Sequence, residues 1–228
     1  MKLSTLKQLI KEEIQNLMLE VAKGVNDLPK GTSLKIAGDD EGVEIYFVDE
    51  KGNEIRDRNA PVWGQLVFDM PPILAGKCDN AYVIQYSETK KGWGPFLYDI
   101  GMELATLKAG GLTADRMQVS PDAYKVWNYY LNSRSDVESH QLDARDADIT
   151  SDKLRGKPIS QITPQNKEDD CGQYSSLRST EDYDLEDWPD SPLSKRYTKK
   201  GAATLKALAN SGKLDLTDFM GSIPGIKE

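Results

Sequence analysis

Gly92 and Gly94 are separated by Trp93 alone, follow the pair Lys90-Lys91 and precede Pro95. Neither glycine has a Cβ, so an anion can come close to the main chain there. A helix that begins directly after such a turn offers unpaired N–H groups and the positive end of its dipole. The two ammonium groups add charge at the same spot, so the chemistry is the binding of a phosphate or diphosphate. The alternative is a tight turn with solvated lysines. A second constellation is a thiolate–imidazole pair of Cys171 and His140, but Glu168, Asp169 and Asp170 beside the cysteine would raise its thiol pKa and oppose activation. Asp143, Asp146, Asp148 and the acids from Asp182 to Asp190 lack the glycine spacing of a calcium loop and read as solvated acidic loops. With one histidine and two distant cysteines, no metal site is expected.

A turn of this kind needs a strand to deliver the chain and a helix to receive it. The run Ala81-Tyr82-Val83-Ile84-Gln85-Tyr86 is the most strand-like in the chain and is expected to lie centrally in a sheet. Downstream, Leu97, Ile100, Gly101, Leu104 and Ala105 share one helical face, with Pro95 at the first helical position and Gly110-Gly111 as the stop. A short strand over 116–119 is expected next. Ser120 then caps a second helix, with Pro121 in its first turn, its end near Asn132-Ser133, and Ala123, Val126, Trp127, Tyr130 and Leu131 inward. Upstream the period is two: Leu34 and Ile36, then Val43, Ile45 and Phe47, then Leu66 and Phe68. Turn residues at 38–42 and 50–53 make these antiparallel strands of a meander.

The termini have a different character. Leu3, Leu6, Ile10, Ile14, Leu17 and Val21 recur at helical spacing, with Thr5 and Gln8 as a capping box and Gly24 as the stop. Such a helix either docks on its own core or forms a partner-binding seam. From 133 to 198 Asp, Ser, Thr, Gln and Pro dominate, which describes a long irregular arm, wrapped on the surface or partly disordered; Tyr183 and Trp188 favour wrapping. A last helix over 199–211 groups Ala203, Leu205, Leu208 and Ala209, and the tail after Leu216 is expected to be loosely attached. The organisation is therefore an N-terminal helix (1–24), an α/β domain (30–132), the acidic arm (133–198), and a C-terminal helix with tail (199–228). The fold class is α/β in the α+β sense, a mixed and mainly antiparallel sheet flanked by helices. The 228 residues, 38% hydrophobic and 29% charged, suit a polar globular protein, and no apolar run is long enough for a membrane span. Lys7, Lys11, Glu12 and Glu13 break up any secretory signal, and the cysteine usage fits a reducing cytoplasm. A net charge of -8 argues against non-specific nucleic-acid binding.

Strand, Gly-x-Gly turn and helix after an antiparallel meander, followed by a short strand and a second helix, resemble the GNAT superfamily of N-acetyltransferases over about residues 34–132. The family's turn, Gln/Arg-x-x-Gly-x-Gly/Ala, falls on Thr89-Lys90-Lys91-Gly92-Trp93-Gly94, with both glycines matched and threonine at the leading position. The resemblance implies acetyl-CoA or another acyl-CoA as cofactor. Its pyrophosphate would lie on the turn at Lys90, Lys91, Gly92, Trp93 and Gly94, and its pantetheine arm along Ile84, Tyr86 and Ser87. It implies acyl transfer to an amine acceptor on a small molecule or protein, with Glu88 as base and no metal. The family's later helix falls on Ser120, Ala123, Val126 and Trp127, so tryptophan stands where the family has its proton-donating tyrosine. Indole is no useful acid, whereas a phenol is. Tyr130 shares the helical face of Trp127 and is the substitute candidate, as is Tyr124, while Tyr129 is expected to point elsewhere.

A second resemblance concerns the opening MKLSTLKQLIKEEI and the stretch from Val126 to Val137, which look like segments of tailed-bacteriophage proteins. It implies a protein of the bacterial host cytoplasm or of the virion. With the tryptophan substitution it frames the rival expectation, a non-catalytic virion or host-interaction protein on the same scaffold, meeting its partner through the N-terminal helix or the arm.

Overall fold

The computed structural model describes residues 22–69, 75–76, 81–114, 119–144, 171–173 and 191–226. The period-two pattern becomes β1 (Ser33–Gly38), β2 (Gly42–Val48) and β3 (Gly64–Asp69). Their turns are set by aspartates. Asp39 accepts from the N–H groups of Glu41 and Gly42 at 2.9 and 3.1 Å, and Asp49 from those of Lys51 and Asn53 at 2.8 and 2.9 Å. The chain continues through β4 (Ala75–Gly76), β5 (Tyr82–Thr89), α1 (Gly94–Lys108), β6 (Leu112–Thr113) and α2 (Pro121–Ser133). Then come β7 (Val137–Gln141), β8 (Asp143–Ala144), β9 (Cys171–Gln173), β10 (Lys195–Lys199), α3 (Ala203–Asn210) and β11 (Leu214–Asp215).

Eight strands form one mixed sheet in the order β11-β1-β2-β3-β5-β6-β10-β7. The pairings from β1 through β5 are antiparallel, β5 runs parallel to β6, β11 parallel to β1, and β10 antiparallel to both of its neighbours. Strands β4, β9 and β8 make a small second sheet. The expected α+β class and the central place of β5 both hold.

The core lies between one sheet face and the helices. Leu34, Ile36, Ile45, Phe47, Leu66 and Phe68 are completely buried, as are Ile100, Met102 and Leu104 of α1. Each such side chain contributes roughly 1.5–3 kcal/mol by leaving water. Close seating of α1 depends on Gly101, where a Cβ would come within 2.6 Å of Leu66 Cδ2. Tyr197 of β10 is paired with Leu112 and so shares its face of the sheet. Trp127 of α2 stacks on the Tyr197 ring at 5.0 Å, which brings α2 to the side α1 occupies.

Two expectations need correction. The ends of the supposed arm are strands β7 and β10 of the main sheet. They escape notice because the inward residues of β10 are Lys195, Tyr197 and Lys199, two of them charged, yet 9%, 0% and 6% exposed. The strand expected over 116–119 falls almost wholly outside the described residues; ahead of it Leu112–Thr113 pairs in parallel with Tyr82 and Val83. The tail after Leu216 is docked, with Phe219 and Ile223 only 7% and 3% exposed. It is held by β11 against β1 and by Lys35, which lies 3.4 Å from Asp215 and 2.5 Å from Asp218. The expected N-terminal helix, with Thr5 and Gln8, and the arm residues Tyr183 and Trp188 lie outside the described residues.

Candidate functional site

The chain leaves β5 at Thr89, turns through Lys90 to Trp93 and enters α1 at Gly94. Gly92 has φ +91°, which favours glycine and turns the chain within two residues. The Trp93 N–H closes the turn onto Lys90 O at 3.1 Å, and the indole, 1% exposed, packs edge-on against Phe47 and Phe96. Trp93 therefore anchors the turn in the core. Among the described residues the N–H groups of Gly92, Gly94 and Phe96 have no hydrogen-bond partner, and Pro95 has no N–H to satisfy. A Cβ at Gly94 would meet only Thr89 Cγ2, at 3.6 Å.

The two lysines part company. Lys90 is bound into the structure: its N–H donates to Trp63 O at 3.1 Å and its ammonium to Ala60 O. Lys91 is exposed and makes no ion pair among the described residues, while its charge reaches Asp122 at the start of α2. Asp122 is held below its usual value first by its hydrogen bond to Lys125, with Lys91 adding to it. A third lysine joins the turn. The N–H of Lys23 donates to Gly92 O at 3.0 Å, and its ammonium lies 5.6 Å from the centre of the Trp93 ring.

β5 is irregular in a way its sequence does not announce. Opposite it, Val67 pairs with Tyr86 but Phe68 pairs with Ile84, so Gln85 is an extra residue and the strand carries a bulge. The bulge reverses side-chain parity. Ile84 and Ser87 therefore both face α1, while Tyr86 and Glu88 face the other side, and the three residues expected along one cofactor arm are divided between two faces. Beyond Tyr82 and Val83, no pairing of β5 on its β6 side exists among the described residues. Among the described residues the β6 side of β5 is therefore unpaired from Ile84 to the turn, residues 115–118 lying outside them.

Phenols surround this edge unevenly. Tyr130 is 1% exposed and its hydroxyl donates to Asp99 Oδ1 at 2.9 Å, with Pro95 O at 3.1 Å. Burial, then the Asp99 charge, raises its pKa well above the ordinary value. Asp99 is in turn held by Arg134 at 3.1 Å, so Tyr130 belongs to a buried polar cluster. Trp127 is 1% exposed and fills the space between Tyr98 and Tyr197. Tyr129, expected to point away, is 8% exposed beneath the Arg134 guanidinium, which lies 5.9 Å from its ring centre. Tyr98 is the phenol the sequence reading missed. It shares a hydrogen bond of 3.0 Å with Ser87 Oγ, and burial pushes its pKa up to about 12. Only the bulge, by turning Ser87 inward, brings the two together.

On the opposite face Glu88 is engaged twice, by the Tyr86 hydroxyl at 2.6 Å and by Arg58 at 2.6 Å. The hydrogen bond to Glu88 raises the Tyr86 pKa. His140 lies on β7 with its ring nitrogen 3.3 Å from Thr198 Oγ1. Cys171 lies in β9, and its side chain is outside the described residues. Among the described residues no group of three or more His, Cys, Asp and Glu could hold a metal ion, and no helix is long and apolar enough to cross a membrane. No protein-family model matches this chain, and neither a curated protein nor a solved structure matches it.

Proposed function

We propose that this protein binds an acyl-CoA and transfers its acyl group to an amine in the manner of the GNAT superfamily. The observation that carries the reading is a set of three N–H groups, at Gly92, Gly94 and Phe96, that are unpartnered among the described residues where the central strand ends and α1 begins. Donors left open at a helix start, with a free lysine beside them, match the charge and shape of a diphosphate. The arrangement around them supports the same reading: an antiparallel meander, a bulged central strand, and a parallel partner reached through α1.

The residues present fit the cofactor at the turn. Gly92, Gly94 and Phe96 would hold the pyrophosphate through the main chain, and Lys91 would add charge. Lys90 would act indirectly by fixing the turn to the loop at Ala60 and Trp63. The cofactor supplies the activated acyl group. Ser87 and Tyr98 are hydroxyls hydrogen-bonded on the α1 side of β5, and Tyr98 replaces Tyr130 as the proton donor in this reading because the Tyr130 proton is already taken by Asp99. Glu88 is held by Arg58 and Tyr86 on the opposite face and is not assigned the base.

Calorimetry with acetyl-CoA on the folded full-length chain tests the reading. Binding that is weakened at least tenfold by Gly94→Val and retained by Gly94→Ala supports it; no binding at millimolar acetyl-CoA ends it.

A second reading is favoured by one observation, the burial of Trp127 where the family has its tyrosine. On this reading the scaffold is non-catalytic and serves as a virion or host-interaction component in a bacterial cell. Acetyl-CoA binding without acyl transfer to any amine in a broad acceptor panel would select it.

A further inference from the structure

The sheet face opposite α1 carries an open cleft of about 300 Å³, lined by Glu54, Arg56, Arg58, Trp63, Gln65 and Glu88. Its contents are arranged as if a ligand were present. The Arg58 guanidinium carbon lies 5.4 Å from the centre of the Trp63 ring, and the same group lies 2.6 Å from Glu88 Oε1. The Tyr86 hydroxyl holds the other oxygen of that carboxylate at 2.6 Å. An aromatic face and a braced carboxylate are what a planar cation requires, one supplying the ring quadrupole and the other charge-assisted hydrogen bonds.

The receiving groups are fixed, whereas the group they receive is not. Trp63 is tied to the start of the glycine turn, its carbonyl accepting from Lys90 N–H at 3.1 Å and from the Thr89 hydroxyl at 3.0 Å. Glu88 and Tyr86 are on the central strand. Arg58 comes from a surface turn closed by Ala60 N–H to Asp57 O, and its side chain is 71% exposed. An exposed ion pair of this kind contributes about 0–1 kcal/mol, so Arg58 can leave at little cost. The neighbouring Arg56 is paired with Glu54 instead, at 2.5 Å, and does not cover the indole.

We propose that this cleft is a binding site for a guanidinium group, in which Arg58 acts as an intramolecular stand-in for the ligand. The proposal is independent of acyl-CoA binding, since it uses the other face of the sheet and none of the unpartnered amides.

The test is calorimetry on the full chain with two probes, N-acetyl-arginine methylamide and methylguanidinium. Removing the stand-in with Arg58→Ala should tighten binding of the arginine probe about tenfold. Arg56→Ala, which removes equal charge from the same cleft, should change it less than about threefold. Adding Glu88→Gln or Trp63→Leu to the Arg58→Ala protein should cancel the gain, with the fold checked by circular dichroism. Equal binding of methylguanidinium assigns the site to a free small cation, and binding of the arginine probe alone assigns it to an arginine side chain of a peptide. The proposal is overturned if Arg58→Ala gains nothing, if Arg56→Ala gains as much, or if the gain survives Glu88→Gln.

Discussion

The N-termini of α1 and α3 are treated in opposite ways. At α3 the donors are met by the protein's own carboxylate: Glu103, fully buried in α1, accepts from Thr204 N–H at 3.0 Å and Leu205 N–H at 2.8 Å. Lys199 completes the arrangement at 2.7 Å from Glu103. At α1 the donors of Gly92, Gly94 and Phe96 meet no partner among the described residues, and the exposed side chain preceding them is a cation, Lys91. The buried N-terminus is closed by an internal anion and serves cohesion. The other is open, with charge of the sign that would draw an anion from outside.

The largest expected effect is at the closed end. Glu103→Ala would leave Lys199, 5% exposed at its side chain, without its nearest carboxylate, and breaking such a buried pair costs about 3–5 kcal/mol. Urea denaturation should show this loss, while Lys91→Ala at the open end should shift stability by less than about 0.5 kcal/mol. Equal losses at the two ends would erase the contrast.

The open end is sharpened by the two substitutions at Gly94. The structure has room for a Cβ, and alanine is the better helix former, so Gly94→Ala should keep or raise stability by about 0.5–1 kcal/mol and leave acetyl-CoA binding intact. Gly94→Val should cost about 1.4 kcal/mol or more of binding, a tenfold weakening in calorimetry. Gly92 is a poorer probe, because its φ of +91° makes any side chain strained regardless of ligand.

Next in size are the phenols. Tyr130→Phe removes a hydrogen bond to a charged group and should cost about 1 kcal/mol of stability, since Asp99 keeps Arg134. It should spare acyl transfer, whereas Tyr98→Phe should slow turnover and leave binding unchanged. The reverse pattern would return the proton-donor role to α2.

The smallest effect is in acid. Asp136 is held below its ordinary value of 3.8, chiefly by its hydrogen bond to Arg134 at 2.7 Å. A depressed carboxylate pKa contributes stability that is present above the ordinary value and is lost as pH falls through the folded one, here below about pH 4. Because Asp136 is 40% exposed at its side chain, the contribution is small, and Asp136→Asn should only flatten the acid limb of the thermal unfolding curve slightly.

How far the sequence carried can be judged residue by residue. Leu34, Ile45 and Phe68 announced the meander because one sheet face is apolar and the other polar, which leaves a period of two. The turn was legible for a similar reason, since Gly92, Gly94 and Pro95 are each conformationally distinctive. Strand β10 was not legible, because its inward lysines are balanced by Glu103 and by Gln141, partners remote in the chain. Nor was the bulge at Gln85. An inserted residue changes no composition, yet it decides which side chains of β5 share a face, and so it divided Tyr86 from Ile84, put Ser87 on the Ile84 side and gave Tyr98 a partner.

The place of β10 has a bearing on how the chain matures. It lies between β6 and β7 although it is made long after both, so during synthesis a nascent chain ending at Gln141 has a gap in its ladder that is filled by residues more than fifty positions further on. Closing it requires a contact of high sequence separation, the slow kind in folding. A nonsense change before Lys195 would thus release a half-assembled, edge-exposed product for chaperones and proteases to clear, with β6 and β7 left apart.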